Sequence, residues 1–248
     1  MNAALASETS NGEFPGHAFT EMPAPAAFAS DIPTRIAIAS SARCLAAYAK
    51  NSLCADLHSL LADPGRLARC ANVSYLHGNG FYKIVLAQNE IFKLRLHIWL
   101  PNVDAAENVH EHRWHFASTV LAGTLHSEIY AEDVTPSALE YDEYLYLAKD
   151  GASPSSRTYI GKTRLGCVST SVRRVGEYYS MSPNTLHRVV SIEGGLTATL
   201  MCQGPAARRS NRLLTRPCEV PDVMQRYMNA ADLSLVIRRL LNQIHRSS

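Results

Sequence analysis

The sequence predicts a mainly β protein, a sandwich or barrel with helices before and after it. Three observations predict it. From Tyr75 to about Pro205, short runs rich in branched and aromatic residues follow one another with Gly, Pro, Asn and Asp between them, the pattern of many short strands. Ahead of this region and behind it, apolar residues recur at helical spacing. The length, 248 residues, suits one sizeable domain with extensions, or two small ones, and allows a substantial core.

Residues 1–34 are rich in Ala, Ser, Pro and Gly without a sustained period and read as a mobile, disordered arm. Residues 35–71 form a helical segment expected to pack on the barrel. Leu45, Tyr48, Leu53, Leu57 and Leu61 are spaced by three to five, so one or two amphipathic helices precede "DPGR", which breaks the pattern. Residues 72–206 carry the strand runs: "FYKIVLA", "IFKLRLHIWL", "STVLAGTLHSEIY", "EYDEYLYL", "SRTYIG", "GCVSTSV", "EYYSMS", "HRVVSI" and "LTATLMC". Residues 207–248 are a C-terminal extension. Its helix sets Leu233, Val236, Ile237, Leu240, Leu241 and Ile244 on one stripe, a face for docking on the barrel. No internal repeat is visible.

The chain is 46% apolar, and 24 basic against 22 acidic residues leave a net charge of +2. That balance gives no general electrostatic reason to expect nucleic acid or a membrane surface as partner. The clusters "ARRSNR" and "VIRRL" read as solvated faces. Cys44, Cys54, Cys70, Cys167, Cys202 and Cys218 form no C-x-x-C pair and no dense array, so they indicate reduced thiols in a cytoplasmic protein rather than a disulfide framework or zinc ribbon. No window approaches eighteen apolar residues, and the start "MNAALASETSNGEF" has neither a basic nor an apolar leader region, which disfavours secretion and membrane spanning.

The stretch "NVHEHRWHFASTVLAGTLHSEIY" holds His110, His112, His115 and His126, four of the chain's ten histidines. Its Trp, Phe, Val and Thr read as strand, where residues i and i+2 share a face. His110 and His112 on one face, neutral at pH 7, form half of a metal site. A later candidate for the other half is His187 in "GEYYSMSPNTLHRVV".

Gly176, Pro183 and His187 resemble the second motif of the cupin barrels: a glycine, a turn containing proline, and a histidine opening a strand. The first cupin motif is similar to His110, His112 and Gly123 here, with Phe116 standing where its glutamate would be. The resemblance implies a cupin-type double-stranded β-helix, a jelly-roll barrel, with a metal held by His110, His112 and His187. Within the cupins, "HGNGFYKIVL", "FKLRLHIWL", "VHEHRWHF", "LAGTLHSEIY" and "LHRVVSIEGGLTATLMCQGPA" resemble, in order and rough spacing, segments of the thiol dioxygenases, above all cysteine dioxygenase, over about residues 72–206. The departures are specific. The family's cysteine and tyrosine that can crosslink fall on Phe116 and Gln203, so no thioether is expected. The serine and histidine supporting that tyrosine fall on Thr199 and Met201, and Asn72 stands near the place of the arginine that holds the substrate carboxylate. The resemblance therefore implies a retained metal site without the cysteine-specific pocket.

Three imidazoles with open positions suit divalent iron, Fe(II). Neutral ligands leave the metal its double positive charge, so the centre favours a small anionic or chelating substrate. The resemblance implies that electrons for dioxygen come from that substrate, without 2-oxoglutarate. On "FKLRLHIW", Lys93, Arg95, His97 and Trp99 share one face and Phe92, Leu94, Leu96 and Ile98 the other. By periodicity alone the charged face could be solvent-facing; the resemblance puts it in the pocket, with His97 near the metal and Arg95 able to fork onto a carboxylate. Trp114 and Phe116 are candidates for the pocket wall, or ordinary core. His115 reads as a supporting or structural residue behind the ligands, together with Gln203 and Met201. His126 and Tyr179 are weaker candidates, and His17, His58, His77 and His245 need no role. The expected function is a non-haem iron dioxygenase acting on a thiol, amino acid or similar small anion. The alternatives are a non-redox metal-dependent cupin enzyme and a cupin that only binds a metabolite. The expected partners are the small substrate and dioxygen, with no nucleic acid and no membrane, and a homo-oligomer left open.

Overall fold

The computed structural model describes residues 34–89, 91–101, 107–133, 135–147, 156–190, 195–217 and 225–247. The arm expected over 1–34 lies outside these residues apart from Thr34, as does Cys218. Three helices come first: α1 (Thr34–Asn51), α2 (Leu53–Ala62) and α3 (Pro64–Asn72). The segment "DPGR", expected to break the helical pattern, instead starts the third helix. Asp63 caps α3 by accepting a bond from the Arg66 backbone N–H at 3.0 Å, and Pro64 occupies the first turn, where its missing N–H costs nothing. The last helix, α4 (Ala230–Ser247), buries Leu233, Val236, Ile237, Leu240 and Leu241 on the predicted stripe. Among the described residues no helix is long and apolar enough to cross a membrane.

Between the helices lie β1 (Tyr75–Leu76), β2 (Phe81–Gln88), β3 (Lys93–Trp99), β4 (Val109–His110), β5 (Trp114–Ala122), β6 (Thr124–Glu132), β7 (Leu139–Leu147), β8 (Ser156–Arg174), β9 (Tyr178–Met181), β10 (Leu186–Val189), β11 (Thr197–Ala206), β12 (Ser210–Thr215) and β13 (Arg226–Tyr227). They form two antiparallel sheets. One runs β13-β1-β2-β3-β11-β5-β9; the other runs β10-β4-β12-β7-β8-β6 and closes, because β10 pairs with both β4 and β6. This is the mainly β barrel with flanking helices that the sequence predicts. The runs "SRTYIG" and "GCVSTSV" are one continuous strand, β8, because Gly161 takes φ 143° beside a register shift instead of ending the pairing. The barrel also extends beyond residue 206: β12 lies in the expected extension yet pairs with β4 and β7.

The first sheet has two buried faces. Leu94, Leu96 and Ile98 of β3, Ala198, Leu200 and Cys202 of β11, and Ile84 and Leu86 of β2 pack with helix residues such as Leu45, Leu57 and Ile237 in the largest core cluster. Alternation then turns Lys83, Arg95, His97, Thr199, Met201 and Gln203 toward the barrel interior. The closed sheet is filled by one side chain from each of its six strands: Val109, Tyr130, Tyr141, Leu165, Leu186 and Leu214. Between the sheets, Phe81, Trp99 and Val120 of the first meet Leu125 and Val189 of the second. The hairpin between β5 and β6 needs Gly123, at φ 69°, since a Cβ there would run into Thr197 Oγ1 and stand 2.7 Å from the Leu196 carbonyl oxygen.

Candidate metal centre

His110 ends β4 and His187 lies on β10, directly opposite it in register. Val109 and Leu186, their chain neighbours, fill the closed sheet, so the two imidazoles project the other way, toward the first sheet. His112 follows β4 in a segment where the chain crosses between sheets; the H-x-H does not lie on one uninterrupted strand, because β4 ends at His110 and β5 starts at Trp114. The three rings still converge. Their centroids are 4.9 Å apart for His110 and His112, 4.6 Å for His110 and His187, and 5.0 Å for His112 and His187. One nitrogen from each lies within 4.8 Å of the others.

Backbone contacts fix two of the rings. His110 Nδ1 lies 2.9 Å from the Asn108 carbonyl and His187 Nδ1 2.9 Å from the Thr185 carbonyl. A carbonyl can only accept, so each Nδ1 carries the proton and each Nε2 keeps its lone pair for the shared point. Burial, with the neighbouring imidazole, holds His110 down to about 3 and His112 well below the usual histidine range, and burial lowers His187. Neutral, oriented imidazoles converging on one point fit a divalent cation, and the trio suits iron or zinc by ligand type.

Arg208 clasps the two ligand segments. Its Nη2 donates to the His112 carbonyl at 2.7 Å and to the Pro183 carbonyl at 2.6 Å, while Nη1 pairs with Glu111 Oε1 at 3.0 Å. Glu111, buried between the first two histidines, also accepts from the Arg212 backbone N–H at 3.1 Å. The loop after β4 and the turn before β10 are therefore tied by a side chain beyond the region of the resemblance.

The wall facing the triad comes from the first sheet. His112 stacks on Trp114, centroids 5.5 Å apart, and meets Phe116 edge-on at 5.0 Å. Phe116 packs with Met181 and Met201, and its cross-strand partner is Gln203, so the two positions named for the family's crosslink do stand side by side, without sulfur or phenol. Arg95 is buried, lies 5.6 Å over the Trp114 ring, and leaves Nε without a partner. His97 also leaves Nε2 unpartnered; burial and then Lys83 hold it well below its usual range. Trp99 lies 6.0 Å from His97 in the cluster between the sheets, so it backs His97 instead of reaching the triad. His115 is half-buried with Nδ1 unpartnered and has no ring contact with the three ligands among those described. Tyr179 lies 6.0 Å from Phe116 with Arg173 over its ring, whereas His126 stays outside these contacts.

Three further ionisable residues act on one another here: His77, expected to need no role, and Lys83 and Glu107, which the sequence does not single out. His77 stacks on Phe81 at 4.8 Å, and burial together with Lys83 pushes it down to about 2. Lys83 sits opposite His97, and burial with the Arg95 charge lowers it to about 7. Glu107, buried, accepts from the Val189 backbone N–H at 3.1 Å, and burial raises it to about 7 against the pull of Lys83. The signal for Lys83 was present: it shares parity with Phe81 in "FYKIVLA", opposite to Ile84 and Leu86.

No family model matches the chain, and no curated protein matches it. Among solved structures, a hydroxypropylphosphonic acid epoxidase from S. wedmorenis aligns with a TM-score of 0.32 and 13% identity over 64% of this chain and 96% of that one. An RmlC-like cupin with a double-stranded β-helix fold from Methanocaldococcus jannaschii aligns with a TM-score of 0.27 and 8% identity over 51% and 82%. A DMSP lyase aligns with a TM-score of 0.27 and 14% identity over 51% of this chain and 48% of its own, so the match spans about half of that protein. At these values none of the three bears on this chain's reaction.

Proposed function

We propose that this chain is a non-haem iron oxidoreductase that oxygenates a small anionic substrate, in the manner of the thiol dioxygenases it resembles in sequence. The observation that carries the reading is the convergence of His110, His112 and His187, two of them oriented by backbone carbonyls, behind a wall where the buried Arg95 lies over Trp114 and Trp114 stacks on His112. Iron(II) held there would supply the redox chemistry that dioxygen requires. The chain's own residues do the rest: Arg95 offers a fork for a carboxylate, and Trp114, Phe116 and Met201 keep bulk water from the triad. An anionic donor suits a centre whose ligands carry no charge. With Phe116 and Gln203 at the crosslink positions, the substrate preference need not be that of cysteine dioxygenase.

Metal analysis combined with oxygen uptake against thiols, amino acids and aromatic acids tests the reading. Iron bound near one equivalent, with oxygen consumed in step with one class of substrate, supports it. Turnover of a panel compound without oxygen would replace it by a non-redox metal enzyme, and tight binding without turnover by a metabolite-binding module.

A further inference from the structure

Lys83 and Arg95 are diagonal neighbours on one buried face. Lys83 pairs with His97, and Arg95 with Val85, across β2 and β3; diagonal positions of this kind lie roughly 7–8 Å apart. Arg95 is only 9% exposed, and its Nε meets no acceptor among the described residues. Its guanidinium lies over Trp114, which stacks on His112. Lys83 Nζ lies 5.4 Å from the Phe81 ring centre and 5.6 Å from that of Tyr75. Glu107 is the acidic group whose charge Lys83 feels, and one of its oxygens already accepts from Val189. The imidazoles around them are neutral or positive in any protonation state and supply no counter-charge. Two like charges brought together out of water repel each other and lose hydration, so this face is built to meet negative charge from outside the chain.

We propose that the ligand of this chamber is a small molecule with two acidic groups, Arg95 forking onto one and Lys83 holding the other. The proposal rests on the reading of the triad chamber as the substrate site. Arg95 has the planar fork that matches a carboxylate, while Lys83 is a compact point charge needing no set direction. Phe81 lies beside Lys83 and Trp114 beside Arg95, so an apolar ring flanks each of the two charges.

Titration calorimetry on the metal-free full chain compares acetate and propionate with malonate and succinate. The dicarboxylates bind about ten-fold tighter or better, as a second charge-assisted contact requires. Lys83→Met brings them to the level of the monocarboxylates, and Lys83→Arg keeps the preference. A dicarboxylate that binds no better than a monocarboxylate, including no binding of either, overturns the proposal, as does a preference that survives Lys83→Met. If Lys83→Met does not fold, the comparison on the unaltered chain decides. Iron content is measured separately: failure to bind iron overturns the metal reading alone, and the dicarboxylate preference still judges this one.

Discussion

His110 and His187 face each other across the β4–β10 pairing, with ring centroids 4.6 Å apart and each Nδ1 held by a backbone carbonyl two residues earlier in the chain. A register shift of one residue in either strand would turn one ring into the packed interior of the closed sheet. The site is thus fixed by strand pairing, and His112 completes it from the crossing between sheets.

The first prediction follows from that division. His112→Ala removes one ligand from a segment outside the strands, so the barrel keeps its cores and the unfolding temperature of the metal-free protein changes little, while bound iron falls below a tenth of an equivalent. Ligand distances near 2.0–2.2 Å are expected in the iron-loaded protein. Unchanged metal content by elemental analysis would remove the triad from consideration.

A second prediction concerns the clasp. Arg208 holds the His112 and Pro183 carbonyls at once, so it would preorganise the three histidines for a metal without being a ligand itself. Arg208→Ala should weaken iron binding by about 10–100-fold, the range for lost supporting contacts, while full occupancy is still reached at high iron. Arg208→Lys should recover part of the affinity, because one ammonium can reach one carbonyl but not replace the fork. Equal affinity in Arg208→Ala and the unaltered protein counts against the clasp.

How far the sequence alone reaches can be judged from β3 and Arg208. The alternation from Lys93 to Trp99 fixes which side chains share a face, and it was legible. Which face looks inward was not legible from the alternation, and only the resemblance placed Arg95 and His97 inside: the choice depends on α1–α4 covering Leu94, Leu96 and Ile98, and that leaves the barrel interior for Arg95 and His97. His187 was legible because the turn "SPNT" and the next strand sit close to it in sequence. Arg208 was not, since its partners Pro183 and His112 lie 25 and 96 residues away. The parity of Lys83 with Phe81 was legible in "FYKIVLA", whereas Glu107 was not, since it meets Lys83 and Val189 only through a loop and strand pairing that no local pattern encodes.

The third prediction uses Arg95 as a stability reporter. A buried guanidinium with an unpartnered Nε and a second cation nearby is held at a cost to the fold. Arg95→Met keeps much of the side-chain volume and removes the charge, so the metal-free protein should gain about 1 kcal/mol or more. That corresponds to a rise of about 2–4 °C in Tm for a chain of this size. The same variant should lose affinity for small carboxylates. A lower Tm would mean that Arg95 is paired or hydrated in solution.

The last prediction is the pH dependence of the metal-free fold. His77, pushed down to about 2, and His110, to about 3, join His97, His112 and His187 as imidazoles whose folded values lie below the usual 6.5. Burial is the first cause for each; Lys83 adds to it at all of them but His187, and Arg95 at His77 and His97. In the unfolded chain these groups take up protons near 6.5 while the folded chain does not, so below that value the unfolded state binds more protons and acid shifts the balance toward it. Their contribution is complete above about 6.5 and is lost as pH falls toward the folded values. Glu107 works in the other direction: raised to about 7, it stays protonated in the fold where the unfolded carboxyl has ionised, so its contribution grows as pH falls through 7. One carboxyl stands against five imidazoles, and the imidazoles prevail. The Tm of the metal-free protein should therefore drop by about 5 °C or more between pH 7.5 and 5.5, in scanning calorimetry at constant ionic strength. A flat or rising Tm across that window would show that the imidazoles accept protons without unfolding, and with it that the chamber is open to water.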